Sequence, residues 1–336
     1  MRPYQMSASP PPFTPPFTPP SLALCRLSTA PPAPQPGVLA RSEILVLTGK
    51  IASYSLAITK ARREAIMRSP KMSTPSSPAE HRSNLVKLLR ANAGRHNLWD
   101  VFGDFIEMSA LAIANKVDLA QFEEREKRYL SIVRRYEPHE VARFPQMYAE
   151  LVNALEYGPD DVLGKVFSEL ELHNASRGQF FTPYSLCTLM ANMQVQDGSG
   201  FREGIEQRGF VSVSEPACGA GAMVIATAEA MLGAGINYQQ HLHVIAQDID
   251  SRAVHMAFIQ LSLLHIPAVV ILGNTLMMEE REHWYTPAHV LGGWQRKLDR
   301  GYALGSGIDP HRDSAPVQMT SAEPHQEETL PRELVA

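Results

Sequence analysis

The second half of the chain alternates short apolar, β-branched runs with helical segments. The apolar runs lie at 210–213, 243–246 and 269–272, and helical stretches at about 220–232 and 251–265 separate them. Elements that alternate in this way build βαβ units, in which parallel strands lie side by side and helices cover the sheet. The sequence therefore predicts an α/β fold with a partial, doubly wound, Rossmann-like parallel sheet.

Residues 83–175 precede this sheet and have helical patterning. Apolar side chains recur there about every 3.6 residues. The clearest stripes are Leu85, Leu88 and Leu89, and then Phe122, Tyr129, Ile132 and Tyr136. Helix stop and start signals cluster at 92–94, at Glu137-Pro138 and at Gly158-Pro159. These breaks predict an N-terminal helical bundle of about five helices.

Both ends of the chain have compositions that do not favour a packed core. Residues 1–80 begin with a proline-rich repeat and continue with a basic stretch, which predicts a disordered extension ahead of a translation start at Met67 or Met72. From residue 292 the chain turns polar, which predicts a disordered tail over 292–336. The α/β domain is then expected over 176–291.

Composition limits the partners and the compartment. The formal net charge of -4 gives no overall basic bias, so any nucleic-acid contact must come from a local patch or a partner subunit. The three cysteines have no paired spacing, which argues against a metal site or a disulfide framework and favours the cytoplasm. The apolar stretch at 44–58 is shorter than the roughly 20 residues that span a bilayer, so no membrane segment is predicted.

A turn of small residues follows the first predicted strand and opens a helix. It consists of Glu215, Pro216, Ala217, Cys218, Gly219, Ala220, Gly221 and Ala222. Small side chains let the backbone approach a ligand closely, and the helix N-terminus offers free N–H groups to an anion. A turn needed only for packing has the same pattern, so this segment alone is weak evidence for a binding site.

Polar residues also follow the second and third predicted strands. Asp250 stands directly before a helix and is placed to cap it, which leaves Asp248 free to accept the ribose hydroxyls of a nucleotide. The alternative is that Asp248 itself caps that helix. Asn274 follows the third strand and could reach a nucleotide base. Because loops at the carboxyl ends of parallel strands converge, these residues predict one ligand crevice.

A fourth segment precedes the sheet and leads into a helix at about Ser185. It consists of Gln179, Phe180, Phe181, Thr182, Pro183 and Tyr184. In isolation it is typical of an ordinary loop with an aromatic anchor. Taken in this order, the four segments resemble the N6-adenine DNA methyltransferases, especially the modification subunits of type I restriction-modification systems. The resemblance covers residues 83–276, a little over half of the chain.

The resemblance implies S-adenosylmethionine as the cofactor and a role for each segment. The resemblance implies that Gln179 to Tyr184 cover the methionine and sulfonium end of the cofactor. It implies that Ala220, Gly221 and Ala222 lie under the ligand. It also implies that Asp248 holds the ribose and that Asn274 faces the adenine. Thr182 is expected near the cofactor carboxylate. Dinucleotide-binding enzymes are the rival class, but the turn lacks their three-glycine spacing and the Gln179–Tyr184 segment has no role in them.

The catalytic tetrapeptide of that family, Asn/Asp-Pro-Pro-Tyr/Phe, does not occur in the sequence. Its polar groups would orient the amine of an adenine that is flipped out of the duplex, and its aromatic ring would stack on that base. Trp284, Tyr285 and Trp294 could stack on a base instead, and His283 or His289 could bind a ligand. The favoured alternative is that these aromatics cover a sheet edge or anchor the tail. Catalytic residues therefore stay unassigned.

Two functions are consistent with these features. The first is a DNA adenine-N6 methyltransferase of the restriction-modification type, acting on DNA with a separate specificity subunit or another partner chain. The second is a C-terminally truncated, catalytically incompetent relative that keeps the cofactor pocket, or only its fold, and acts as a binding module. Only three strands are predicted where such enzymes have about seven, and no target-recognition domain is evident.

Overall fold

The computed structural model describes residues 77–170 and 181–310. By its internal contacts the chain divides after residue 40, and all described residues belong to the second unit, Arg41–Ala336. The predicted disordered extension lies mainly outside the described residues, and Gln179 and Phe180 lie wholly outside them.

The first described part is helical. Its elements are α1 (Pro78–Asn92), α2 (Leu98–Ala114), a 3₁₀ turn (Leu119–Gln121), α3 (Phe122–Val133), α4 (Pro138–Val141), α5 (Phe144–Leu155) and α6 (Val162–Glu169). α1 ends at the first predicted break, and α3 and α5 end four and three residues before the other two. Side-chain caps fix the starts of two others, because Asn97 and Asp161 each accept a backbone N–H from the first turn of the helix that follows.

The second described part is an α/β unit. Its elements are α7 (Tyr184–Val195), α8 (Ser199–Arg208), β1 (Val211–Glu215), α9 (Ala222–Gly233), α10 (Tyr238–His241), β2 (Leu242–Asp248), α11 (Ser251–Leu263), β3 (Ala268–Asn274), a 3₁₀ turn (Thr275–Met277), β4 (Glu279–Tyr285), α12 (Pro287–Leu291) and α13 (Trp294–Arg300). The strand order is β1-β2-β3-β4, and β1, β2 and β3 are parallel. The predicted α/β fold with a partial parallel sheet is confirmed.

The strand β4 was not predicted from the sequence. It pairs antiparallel with β3 at the edge of the sheet. Its first four residues, Glu279–Glu282, are all charged, so the segment has no apolar run that would predict a strand. Trp284 supplies its buried side chain, which packs on Phe258 and His255 of α11 with ring centroids 5.3 and 4.9 Å apart.

The helix α13 lies where the sequence predicted a disordered polar tail. Trp294 is buried, with its ring 5.5 Å from that of Phe210 and 5.3 Å from that of His243. Backbone hydrogen bonds from Ala303, Gly307 and Ile308 to residues 206–208 also hold this segment, so the chain from 292 to 310 is ordered, which corrects the predicted start of the disordered tail. Because Trp284 and Trp294 are both buried, neither is available to stack on a base, and the alternative of a structural role holds for both.

Three buried histidines make the stability of this fold depend on pH. Burial lowers the pKa of His255 from 6.5 to about 3 and that of His243 to about 4, and it also lowers the pKa of His289. His243 Nε2 and His289 Nδ1 lie 2.9 Å apart and share one hydrogen bond, which requires at least one neutral ring.

We expect the free energy of unfolding to fall as the pH drops below about 6.5. The unfolded chain then binds protons that the folded state does not, so each fully buried histidine contributes up to about 1.4 kcal/mol per pH unit until its folded pKa is reached. Urea unfolding at several pH values measures this slope. A free energy of unfolding that stays constant between about pH 7 and pH 5 would contradict neutral buried rings.

Three further properties of the described residues concern membrane-spanning helices, metal sites and free cysteines. No helix among them is both long and apolar enough to cross a bilayer. No group of three or more His, Cys, Asp or Glu side chains in these ranges is arranged to hold a metal ion. Cys187 and Cys218 are buried free thiols.

Candidate functional site

The carboxyl ends of β1, β2 and β3 meet at one edge of the sheet, because the three strands are parallel and neighbours. Three loops leave from this edge, at 216–221, at 249–250 and at 275–278. Ligands of open α/β sheets bind in crevices of this kind.

The small-residue turn after β1 requires two glycines for its backbone. Gly219 has a φ of 54° and Gly221 a φ of 90°, which side-chain-bearing residues rarely adopt. Gly221 also precedes the first residue of α9, and its N–H donates to the carbonyl oxygen of Cys218 over 2.8 Å. The turn therefore places the N-terminus of a 12-residue helix at the crevice.

Asp248 at the end of β2 holds this turn. Its Oδ2 accepts the N–H of Gly219 and its Oδ1 accepts the N–H of Asp250, each over 2.9 Å. Asp248 therefore does not cap α11, but its carboxylate already accepts two backbone N–H groups, which the sequence did not predict. Each oxygen still has a second lone pair for a ligand hydroxyl. Burial raises the pKa of Asp248, although the backbone donors oppose that shift.

The predicted cap of the next helix is confirmed. Asp250 Oδ1 accepts the N–H of Arg252 over 2.9 Å at the start of α11. The two acids of this loop therefore have separate tasks, since one caps a helix and the other fastens the turn of the neighbouring strand.

Phe181 brings the segment before the sheet to the same turn. A β-carbon added at Gly219 would lie 2.9 Å from Cδ1 of Phe181, so the phenyl ring covers this glycine. On its other side the ring packs 5.0 Å from that of Phe167 in α6. Thr182 and Pro183 follow and are exposed, and the Tyr184 hydroxyl donates to Glu229 Oε2 over 2.8 Å. The described part of this segment thus reaches the crevice.

The end of the turn is buried beneath the crevice. Ala220, Gly221 and Ala222 have little exposure, and Gly221 lies against Ala257 of α11. The carbonyl oxygen of Ala220 accepts a hydrogen bond from Gln260 Nε2 over 2.8 Å. These residues are the buried end of the turn. At its other end Pro216 and Ala217 are exposed, and Gly219 is half-buried.

Gln260 connects the buried end of the turn to the helices before the sheet, and no sequence pattern predicted this role. Its Nε2 also donates to Asp161 Oδ1, and its Oε1 accepts the N–H of Leu163, both over 2.9 Å. Gln260 is fully buried in α11. One amide therefore joins the start of α6, the middle of α11 and the turn after β1.

The loop after β3 closes the crevice on the third side. Asn274 Oδ1 accepts the N–H of Met277 over 3.2 Å, and the Thr275 hydroxyl donates to the carbonyl oxygen of Pro216 over 2.6 Å. Two large apolar side chains at this rim are exposed, Ile249 by 59% and Leu276 by 94%. Sequence reasoning missed both, although an apolar residue between Asp248 and Asp250 was a usable signal.

Glu215 is the remaining predicted residue. It ends β1 half-buried, and its Oε1 accepts the N–H of Ala217 over 3.3 Å. Among the described residues, the structure thus brings together the segments at Phe181, Gly219, Asp248 and Asn274, which the sequence predicted to share one crevice.

Comparisons with known proteins indicate which family the chain resembles. Residues 160–298 match a family model described as N-6 DNA Methylase. This match confirms the resemblance carried by the four sequence segments, and it indicates S-adenosylmethionine as the cofactor. A search of curated proteins gave no significant match.

Two solved structures are also similar to the chain. One is titled as a class I S-adenosylmethionine-dependent methyltransferase from Listeria monocytogenes, with 14% identity over 68% of this chain and 72% of that chain and a TM-score of 0.28. The other is the methyltransferase subunit of a type I restriction-modification system from Streptococcus thermophilus, with 14% identity, 69% of this chain and a TM-score of 0.27. The match spans 58% of that subunit.

Proposed function

We propose that this chain, whose residues 160–298 belong to the N-6 DNA methylase family, binds S-adenosylmethionine at the carboxyl edge of its sheet and serves DNA adenine-N6 methylation. The observation that carries the proposal is the contact at Gly219. Phe181 covers this glycine and Asp248 accepts its N–H, so the segment before the sheet meets the loops after β1 and β2 at this residue.

The side chains at the edge fit this cofactor in chemical type. Asp248 retains lone pairs for the ribose hydroxyls, and the amide of Asn274 suits the edge of an adenine. The exposed Ile249 and Leu276 offer apolar contacts for the faces of the base. Gln179 to Tyr184 are assigned to the methionine end, with Thr182 near its carboxylate.

The bound cofactor supplies a methyl group on a positively charged sulfur. The residues of this chain hold and orient the cofactor. Because Trp284 and Trp294 are buried and cannot stack on a base, we assign the orientation of the target amine to another polypeptide. β4 begins beside the crevice with three glutamates and one arginine, Arg281, which pairs with Glu279, and the net negative charge of these four residues does not attract DNA phosphates. A specificity subunit or other partner with a basic surface would bring DNA to this edge, and the proposed compartment is the cytoplasm.

The second candidate is a binding module without turnover. It is favoured by the same burial of the tryptophans and by the missing catalytic tetrapeptide. It shares the cofactor site with the first candidate and differs only in the absence of methyl transfer.

Calorimetry and a methyl-transfer assay on the full chain separate these possibilities. We expect S-adenosylmethionine to bind and NAD to give no heat, since the turn lacks the glycine spacing of dinucleotide sites. We further expect labelled methyl groups to enter adenine of duplex DNA only when a modification or specificity subunit is added. Binding without incorporation in every combination would favour the binding module. Absence of binding would reject the methyltransferase and the cofactor-binding module, and would leave only a relative that keeps the fold.

A further inference from the structure

The dipeptide Thr182-Pro183 is exposed, but its two neighbours in the chain are both fixed. Phe181 precedes it and covers Gly219 in the turn after β1. Tyr184 follows it, and the Tyr184 hydroxyl donates to Glu229 Oε2 over 2.8 Å. The dipeptide is therefore held from both ends by aromatic side chains that contact different parts of the α/β unit.

Both contacts are made to one continuous piece of the chain. The turn that contains Gly219 runs directly into α9, and Glu229 lies about two helical turns from the start of α9 at Ala222. α7, which begins at Tyr184, packs along α9. The bond from Tyr184 to Glu229 therefore fixes where α7 starts along α9, and with it the distance between Thr182-Pro183 and the turn.

The start of α7 relies on Tyr184, because a proline occupies the cap position. Pro183 makes no capping hydrogen bond through its side chain, since proline has no side-chain acceptor. The ring of Tyr184 makes a second contact, because its centroid lies 5.0 Å from the ammonium group of Lys165 in α6. Burial raises the pKa of Tyr184, and the hydrogen bond to Glu229 raises it further, so the hydroxyl stays protonated and donates.

We propose that Tyr184 and Glu229 are positioning residues that hold Thr182-Pro183 at the distance from the turn after β1 that the amino-acid half of the cofactor requires. The inference rests on the proposed function, in which residues 179–184 take the methionine end. The Tyr184 hydroxyl is already bound to Glu229, so it acts through the dipeptide and not on the cofactor itself. The ribose and the adenine are assigned to the loops after β2 and β3. Loss of the bond should therefore weaken only ligands that carry the amino-acid group.

Isothermal calorimetry of the full chain with two ligands tests this role. S-adenosylhomocysteine carries the amino-acid group, and 5′-methylthioadenosine has the same nucleoside and sulfur without it. Tyr184→Phe removes the hydroxyl and keeps the ring beside Lys165. We expect the dissociation constant of S-adenosylhomocysteine to rise about tenfold in this variant, since one hydrogen bond to a charged group is lost. The dissociation constant of 5′-methylthioadenosine should change by less than about twofold, because its contacts lie in other loops.

Substitutions of Glu229 complete a double-mutant cycle. Glu229→Ala should cause the same loss as Tyr184→Phe. The combined variant should bind no more weakly than either single variant, because all three lack the same hydrogen bond. Glu229→Gln keeps an acceptor oxygen, so we expect it to restore most of the affinity.

Tyr238→Phe is the matched control. It also removes a tyrosine hydroxyl, which donates to the carbonyl oxygen of Leu264 over 2.9 Å. Tyr238 begins α10, which lies at the amino end of β2, away from the crevice. We expect this variant to lose stability in urea unfolding and to bind both ligands as the wild type does. Circular dichroism identical to that of the wild type shows that each variant is folded.

The outcomes separate this inference from the proposed function. A wild type that does not bind S-adenosylhomocysteine would reject the cofactor site, and this inference with it. If the wild type binds that ligand and Tyr184→Phe binds it equally well, the site remains and the positioning role is wrong. An equal loss for both ligands, or additive losses in the cycle, would also overturn the role. If the wild type binds S-adenosylhomocysteine alone, the cycle decides.

Discussion

Replacing Asp248 by alanine is expected to weaken the binding of S-adenosylmethionine by about tenfold to a hundredfold, which corresponds to about 1–3 kcal/mol. The carboxylate accepts the backbone N–H groups of Gly219 and Asp250. Its loss removes the proposed ribose contact and also the bond that fixes the turn under Phe181. Isothermal calorimetry with the cofactor measures both the affinity and the binding enthalpy.

The control for this experiment is Asp250→Asn in the same loop. It removes one negative charge two residues away, and asparagine caps a helix as well as aspartate does, so α11 should keep its start. We expect cofactor affinity close to that of the wild type. If Asp248→Ala binds the cofactor as tightly as the control does, Asp248 has no part in the site.

Replacing Gln260 by leucine is expected to lower the free energy of unfolding by about 2–5 kcal/mol. Leucine fills similar space but leaves the N–H of Leu163 and the carbonyl oxygen of Ala220 without their partner inside the protein. Unpaired buried polar groups cost far more than an exposed substitution. Urea unfolding followed by circular dichroism measures the loss. Because Ala220 belongs to the turn, cofactor affinity should fall as well.

Ser262→Ala is the matched control for Gln260→Leu on α11. The hydroxyl of Ser262 is buried and makes no hydrogen bond in the structure, so its removal strands no partner. We expect a free energy of unfolding equal to or slightly above that of the wild type. If both variants lose the same free energy of unfolding, α11 tolerates no polar change. The loss in Gln260→Leu would then not be due to the hydrogen bonds of Gln260.

The elements that the sequence predicted well are those with a local signal. The β-branched runs that became β1, β2 and β3 are short and bounded by helical patterns, and the cap at Asp250 follows from its position before α11. Three motif segments could be placed in one crevice because parallel strands end at the same edge, and the resemblance to a known family added the Gln179–Tyr184 segment. The match of residues 160–298 to the N-6 DNA methylases agrees with that order.

The elements that the sequence failed to predict have no such signal. β4 begins with four charged residues and becomes a strand because β3 offers it a free edge. α13 lies in a polar stretch and is held by Trp294 against Phe210 and His243. Each element has only one buried residue, Trp284 or Trp294, and periodicity cannot detect one residue.

The sequence by itself determined the class of the sheet, the order of the motifs and the family to which they point, because these depend on spacing along the chain. Only the tertiary structure decided that Asp248 fastens Gly219, 29 residues away, and that Gln260 joins Asp161 to Ala220 across 99 and 40 residues. Such hydrogen bonds form between groups that meet only after the chain has folded. Their partners therefore leave no pattern in the sequence.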